Sequence, residues 1–416
     1  MQILRASDIE NGRLLTSNLL RVSQDIEAAY ARSRLHGGEV LLTLVGAYFG
    51  KVAVARKEHA GMNTARAVGV LPVTEDAHYV AYALMSPKCQ AFMRERATTT
   101  AQPTLNLRDV GRIPIPWPCA SARRQITNAL QVLDARIDLL RETNTTLESI
   151  AQVLFKSWFI DFDPVRARAE GREPEGMSAE TAALFPREFE ESRLGLIPEG
   201  WRLSELGSLV DLTKGCSYKG EGLSDDEGAY MFNLGCFNAH RVFATEKVKR
   251  YTGEYKPRHA VVAGDLIIAN TDMTQARDIL GRPVFVPDGF EPGFVSHHVF
   301  KVTVKRSELP VAEAIRLFLF YSLQQTSFRE RAIGYATGTT VLALPATAVA
   351  GCPAVLPPDP VLLKFAEFVR PLLVRIRQNE KQSASLAEVR DSLLPRLISG
   401  KLRVPEAVQQ VEEAFA

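Results

Sequence analysis

The chain has few of the residues and motifs on which most secreted and catalytic proteins are built. Among its 416 residues are only five cysteines (Cys89, Cys119, Cys216, Cys236 and Cys352), widely spaced and without a Cys-x-x-Cys pair. That pattern argues for a reducing compartment and against a zinc site or a disulfide framework. No apolar run approaches the ~20 residues needed to cross a bilayer. The opening MQILRASDIENG lacks the basic-then-apolar pattern of a secretory signal. A cytoplasmic location is the expectation. A surplus of one charge is missing as well, since the formal net charge is +2. Residues 1–118 carry 14 Lys+Arg against 10 Asp+Glu, residues 119–200 carry 10 against 14, and residues 201–357 carry 17 against 16. No global field therefore attracts a polyanion, and any nucleic-acid contact must come from local patches or be shared with a partner.

Catalytic signatures are absent too. No GxxxxGK[ST] loop exists to drive a nucleotide motor, and no GxSxG elbow exists for acyl chemistry. A base-flipping adenine methyltransferase needs an Asn/Asp-Pro-Pro-aromatic loop, and Asp163-Pro164-Val165 is not one. Glu254-Tyr255-Lys256 imitates a nuclease carboxylate–lysine pair without the preceding aspartate and reads as chance. His297-His298 lacks a carboxylate or cysteine partner at helical spacing, so a paired strand residue or a DNA contact is the better reading than a metal site.

What the chain does have is periodicity. Ile126, Leu130, Leu133, Ile137, Leu140, Asn144, Leu147, Ala151, Leu154 and Trp158 are spaced alternately by four and three, a heptad seam. A helix over residues 122–159 would be roughly 57 Å long at 1.5 Å per residue. Adding 239 gives a second seam: Phe365, Val369, Leu372, Ile376, Asn379, Ser383, Leu386, Arg390, Leu393 and Leu397. Only Asn379 and Arg390 change polarity class from their counterparts. Polar Asn144, Asn379 and Ser383 near mid-seam are the expected register-fixing positions of a pairing between the two helices.

The helices belong to a longer repeat. Leu105-Asn106-Leu107 and then IPIPWP precede the first helix, and Leu342-Ala343-Leu344 and then CPAVLP precede the second. Gly38-Glu39-Val40-Leu41-Leu42-Thr43 matches Gly264-Asp265-Leu266-Ile267-Ile268-Ala269 at an offset of 226. The first copy has no counterpart to about the first thirty residues of the second, so either the true start lies upstream or another part of the chain supplies that strand region. Residues 161–200, rich in charge, Glu, Pro and Gly, read as a linker with one short helix near residues 179–184.

Two stretches carry a resemblance. LFKSWFIDFDPVRARAEGREPEGM, with AETAALFP and IPEGW, resembles the central conserved region of the specificity subunits of type I restriction-modification enzymes. SLAEVRDSLLPRLISGKLRVPEA resembles the distal conserved region of that family. The resemblance implies an α+β protein with two mixed target recognition domains, separated by two long antiparallel helices that form an intramolecular coiled coil. Its parts would be a first recognition domain (1–118), a central spacer helix (119–160), a linker (161–200), a second recognition domain (201–357), a distal spacer helix (358–400) and a tail (401–416). It further implies a non-catalytic subunit that binds a split, asymmetric site on double-stranded DNA about one turn across. Two methyltransferase subunits and an ATP-dependent nuclease/translocase subunit would be its partners. S-adenosylmethionine, ATP and magnesium would then sit on those partners, with no cofactor or metal on this chain. A coiled-coil adaptor that recognises protein, or a degenerate inactive specificity subunit, are the alternatives.

With that reading, the aromatic stretch at the end of the first helix is expected to dock the methyltransferase through Phe155, Trp158, Phe159 and Phe162, rimmed by Lys156, Asp161 and Asp163. The alternative is that these aromatics cap the coiled coil and close onto the neighbouring domain. DNA contacts are sought in loops bearing Arg, Lys, amides, hydroxyls and aromatics beside strands, since cations hold phosphates and amides and arginine read base edges. The first domain offers Thr43, Tyr48, Lys51, Arg94, Arg96, Thr98, Thr99 and Gln102. The second offers Lys214, Tyr218, Lys219, Asn270, Thr271, Gln275, Arg277, Tyr335, Thr337, Thr339 and Thr340.

Overall fold

The computed structural model spans residues 1–416 and describes all but 17–18, 24, 26–29, 98–102, 239–242, 274–276, 339–340 and 416. The chain divides into two compact units: Met1–Thr145 with Ile376–Ala416, and Thr146–Arg375. Two 40-residue helices, Ala120–Phe159 and Asp359–Ile398, pass through both. Among the described residues no helix is long and apolar enough to cross a membrane.

In the first unit, Val40–Thr43 is the centre of an antiparallel sheet flanked by Val52–Val54 and Val68–Leu71. Successive side chains point to opposite faces. Val40 and Leu42 accordingly join Val80, Leu84, Cys89 and Met93, which belong to the helices Ala77–Met85 and Pro87–Arg96. Leu41 faces the other way, onto Leu4, Ile9, Leu35 and Val68. A smaller sheet sets Gln2–Leu4 between Leu20–Arg21 and Asn63–Thr64.

The same unit shows how the long helices meet. Ile126, Leu130, Leu133, Ile137 and Leu140 share one core with Leu386, Leu393, Leu394 and Leu397. Low numbers on one helix face high numbers on the other, so the pairing is antiparallel. Asn379 Nδ2 donates to Asn144 Oδ1 at 2.8 Å, and Asn144 Nδ2 donates to the Ile376 carbonyl at 3.2 Å. The two asparagines therefore meet each other, whereas Ser383, the repeat counterpart of Asn144, is buried at 9% exposure further along the seam. Nearer the first domain, Asp134 accepts from Arg390 (2.7 Å) and from the Tyr82 hydroxyl (2.5 Å). Burial, reinforced by the Asp134 charge, holds Tyr82 protonated, so it is the donor. One carboxylate thus ties the helix Ala77–Met85 to both long helices.

The second unit repeats the plan with additions. Leu266–Ala269 lies between Pro283–Phe285 and Val299–Val304, and Val210–Lys214 extends the sheet beyond Val299–Val304. In the first unit no strand among the described residues takes that outer place beside Val68–Leu71. A mixed five-stranded sheet carries Ala229–Phe232 beside Gly293–Val295, and helices Leu309–Ser322 and Thr326–Tyr335 complete the domain. Residues 161–200 carry more structure than the linker with one short helix near 179–184 that the sequence suggests, although that helix is present as Ala179–Ala182. They form helices Asp163–Ala169 and Ala179–Ala182 and a hairpin of Phe189–Ser192 with Gly195–Pro198. Val165 and Phe185, each at most 1% exposed, enter the main core. These elements are too short to show a period in sequence, which is why their charged faces dominated the reading.

Asp134 generates the first prediction. Asp134→Ala leaves Arg390 and Tyr82 without their shared acceptor and is expected to cost about 2 kcal/mol, read as a lower denaturation midpoint. Asp134→Asn, which keeps an acceptor oxygen, loses less; an unchanged midpoint in Asp134→Ala would show that the network contributes nothing.

Candidate nucleic-acid and partner interfaces

In the second unit two of the sequence-predicted loops meet at one turn, Ser296-His297-His298, and the segment after the third binds to one of them. The Ser296 N–H donates to the Phe232 carbonyl (2.9 Å), and the Asn270 N–H donates to the His298 carbonyl (3.0 Å). Asn270 Nδ2 holds the His297 carbonyl at 3.1 Å, and Thr271 Oγ1 meets His298 Nδ1 at 2.9 Å. The Gly215 and Cys216 N–H groups reach the carbonyls of Val299 and Val295 at 3.0 and 3.1 Å. A Cβ on Gly215 would stand 2.2 Å from the Ser296 carbonyl oxygen, so only glycine lets this loop lie so close. The third loop joins through Leu344 N–H to the Asn270 carbonyl (2.7 Å) and through the pairing of Thr271 with Ala343.

This geometry sorts the second-domain candidates. Asn270 and Thr271 are 2% and 6% exposed, so they hold the turn rather than face a ligand. Lys214 is exposed and makes no hydrogen bond or ion pair among the described residues. Tyr218 is half-buried with its ring 5.9 Å from that of His297. Lys219 is exposed beside Glu221 at 3.7 Å. Arg277 is half-buried in a left-handed conformation, and its carbonyl accepts from Arg329. Tyr335 is 50% exposed under the Arg331 guanidinium, and Thr337 is exposed where the loop pairs back on Ala343. Gln275, Thr339 and Thr340 lie outside the described residues.

The first unit has the same construction. The Ala65 N–H donates to the Leu4 carbonyl (2.8 Å), the Leu44 N–H to the Ala67 carbonyl (2.8 Å), and the Leu105 N–H to the Leu44 carbonyl (2.9 Å). Thr43, expected to contact DNA, is fully buried. Its hydroxyl donates to the Tyr48 carbonyl and accepts from the Lys51 N–H, which closes the loop between them. Tyr48 is 46% exposed at the tip of that loop, and Lys51 is half-buried. Arg94 and Arg96 are exposed at the end of their helix, with Arg96 over the Phe92 ring. Thr98, Thr99 and Gln102 lie outside the described residues. Sequence reasoning missed Arg66, Ser296 and the hub role of His297 and His298, which only the pairing of distant strands reveals.

The proposed aromatic docking surface is corrected by the structure. Phe155, Trp158, Phe159 and Phe162 are 1%, 3%, 3% and 8% exposed, packed on Phe185, Trp201, Phe318 and Phe365 within their own unit. Phe162 adopts a left-handed backbone, so the chain turns back as the helix ends and the bulky surface closes on the second domain. Lys156, Asp161 and Asp163 remain on the outside, with Lys156 and Asp161 paired to each other. What the helix does expose in this unit is Ile150, Val153 and Ile160 at 50%, 67% and 46%. In the first unit Val132 and Leu139, 69% and 51% exposed, hold the same heptad position as Val153 and Ile160.

The two units thus repeat one mixed plan, and each copy is followed by one of the two long helices. Residues 1–149 match the family model described as the type I restriction modification DNA specificity domain. The chain is 25% identical over 337 residues to the type I restriction enzyme MjaIX specificity subunit of Methanocaldococcus jannaschii, covering 79% of this chain and 70% of that one. It is 25% identical over 345 residues to the HindI specificity subunit of Haemophilus influenzae, covering 72% and 71%. In fold it resembles the S subunit of a type I restriction-modification system from M. genitalium, with a TM-score of 0.50 at 14% identity over 95% of this chain and 88% of that one. The matched domain model and the relatives are those of type I restriction-modification specificity subunits, and the chain resembles them over most of its length.

The histidines at these turns give a pH prediction. Burial lowers the pKa of His297 and His298, with further lowering by Lys214, and burial likewise lowers that of His59 in the first unit. The unfolded chain therefore takes up protons first as pH falls below about 6.5. Melting temperature is expected to fall between about pH 7 and pH 5.5, and His298→Asn to reduce that slope. A melting temperature that holds or rises on acidification would contradict these assignments.

Proposed function

We propose that this chain recognises DNA for a type I restriction-modification system, each unit contacting one half of a split duplex site, while its long helices dock the methyltransferase subunits. The observation that carries this is the recurrence of one stitched turn in both units, held by the same pair of backbone hydrogen bonds and bearing an at least partly exposed polar side chain at its tip. Two copies of one scaffold bearing different side chains suit an asymmetric, two-part target, because phosphate contacts position the protein and varied side chains read bases. Exposed Lys214, Arg66, Arg94 and Arg96 supply local positive charge in a chain with little net charge.

For the partner, the exposed stripe takes over from the buried aromatics. Apolar residues seven apart on a long helix suit packing by an amphipathic helix of the methyltransferase. Two such subunits per chain are expected, with a nuclease/translocase subunit joining the assembly in the cytoplasm. Methyl donor, ATP and magnesium belong to those partners, and this chain's task is to place them on DNA.

Two outcomes test the proposal. Duplex affinity of the assembled complex is expected to fall at least tenfold between about 50 and 200 mM salt; salt-insensitive binding, or binding to protein alone, would contradict DNA recognition. Val153→Asp is expected to reduce co-purification of the methyltransferase without lowering the melting temperature, because its side chain touches solvent. Undiminished assembly would remove the stripe from the interface.

A further inference from the structure

Superimposing the two hydrogen-bond patterns matches single residues between the units. Ala65 and Ser296 donate to Leu4 and Phe232; Ala67 and His298 accept from Leu44 and Asn270; Val68 and Val299 pair with Thr43 and Ala269. Every match from Ala65 to Val68 falls at one offset, 231, so the residue between the two stitches is Arg66 in the first unit and His297 in the second. Both turns are fixed on either side by backbone bonds; Arg66 is exposed and His297 partly so.

The two side chains differ, yet each is chemically unspent. Arg66 is exposed and makes no hydrogen bond or ion pair among the described residues. His297 is half-exposed; its Nδ1 is buried without a partner, so Nε2 is the ring nitrogen left to meet a ligand. Its ring lies between Tyr218 and His298, with the unpaired Lys214 close enough to weigh on its charge. Among the described residues no group of three metal-ligating side chains forms there. A lone guanidinium offers a planar fork that fits a guanine edge or a phosphate; an imidazole beside a free lysine offers a ring donor or acceptor next to a point charge. Equivalent rigid positions carrying unlike hydrogen-bonding groups are what two unlike half-sites demand.

We propose that Arg66 and His297 are paired specificity-determining residues, each touching the DNA half-site read by its own unit. This rests on the proposed function and adds the residue pair to it. Both positions are anchored through main-chain atoms, since even the Asn270 amide grips the carbonyl of His297 and not its ring. Side-chain replacement therefore leaves the turn intact.

The test is base-modification sequencing of native DNA from cells that carry the cognate methyltransferase with the wild-type chain, Arg66→Ala or His297→Asn. The wild type should give a split motif. Arg66→Ala should relax or abolish one half by an order of magnitude or so in modification of the preferred bases, and His297→Asn should do the same to the other half. Retention of the full wild-type motif by either variant, or loss of the same half in both, overturns the pairing. No motif from the wild type overturns the proposed function instead. Melting and methyltransferase co-purification check folding, and Arg66→Gln is read in the same way should Arg66→Ala fail that check.

Discussion

The antiparallel pairing of two 40-residue helices is the constraint on which the rest depends. Each helix begins and ends against a mixed domain, so each unit's core is completed by residues from both long helices. In the first unit this is Ile126 to Leu140 against Leu386 to Leu397; in the second it is Phe155 to Phe159 against Phe365 and Val369. Apolar seams alone would tolerate sliding by a heptad. The Asn144–Asn379 hydrogen bond and the Asp134–Arg390–Tyr82 network penalise it, because a slipped register would bury these polar groups without partners.

The recognition turns follow the same logic on a smaller scale. A base-reading side chain is useful only when its backbone is fixed. In both units the turn is fixed by two backbone bonds to two different segments, one of which is held in turn by a third, helped in the second unit by a glycine pressed against a carbonyl and by a buried asparagine and threonine. The polar residues nearest the turn are thus occupied in holding it, and the residue left to act is the one between them. Specificity can change by exchanging that residue and its exposed neighbours without touching the scaffold.

How much of this was legible in sequence depends on the range of the interaction. The long helices were legible because a heptad period over ten positions has no other physical meaning; the first was expected from residue 122 and starts at Ala120. The duplication was legible where offsets of 226 and 239 preserved class. Register was legible in part: Asn144 and Asn379 stand at mid-seam in the sequence and meet in the structure, but which of Asn379 and Ser383 would face Asn144 follows only from geometry. Thr43, Asn270 and Thr271 looked like ligand-facing groups because they are polar at strand ends, but unpaired backbone atoms nearby claimed them first. Phe155, Trp158 and Phe159 looked like a partner surface because their intramolecular partners, Phe318 and Phe365, lie more than 150 residues on. Arg66 carried no local signal at all; its meaning comes from the strand pairing around it.

The account's central claim is that one chain presents two separate DNA-contacting surfaces to one duplex. Hydroxyl-radical footprinting of the assembled complex on its own target tests this most directly. The account predicts two protected tracts separated by an accessible gap, one for each unit. A single continuous tract, or protection of one tract alone at saturation, would contradict it.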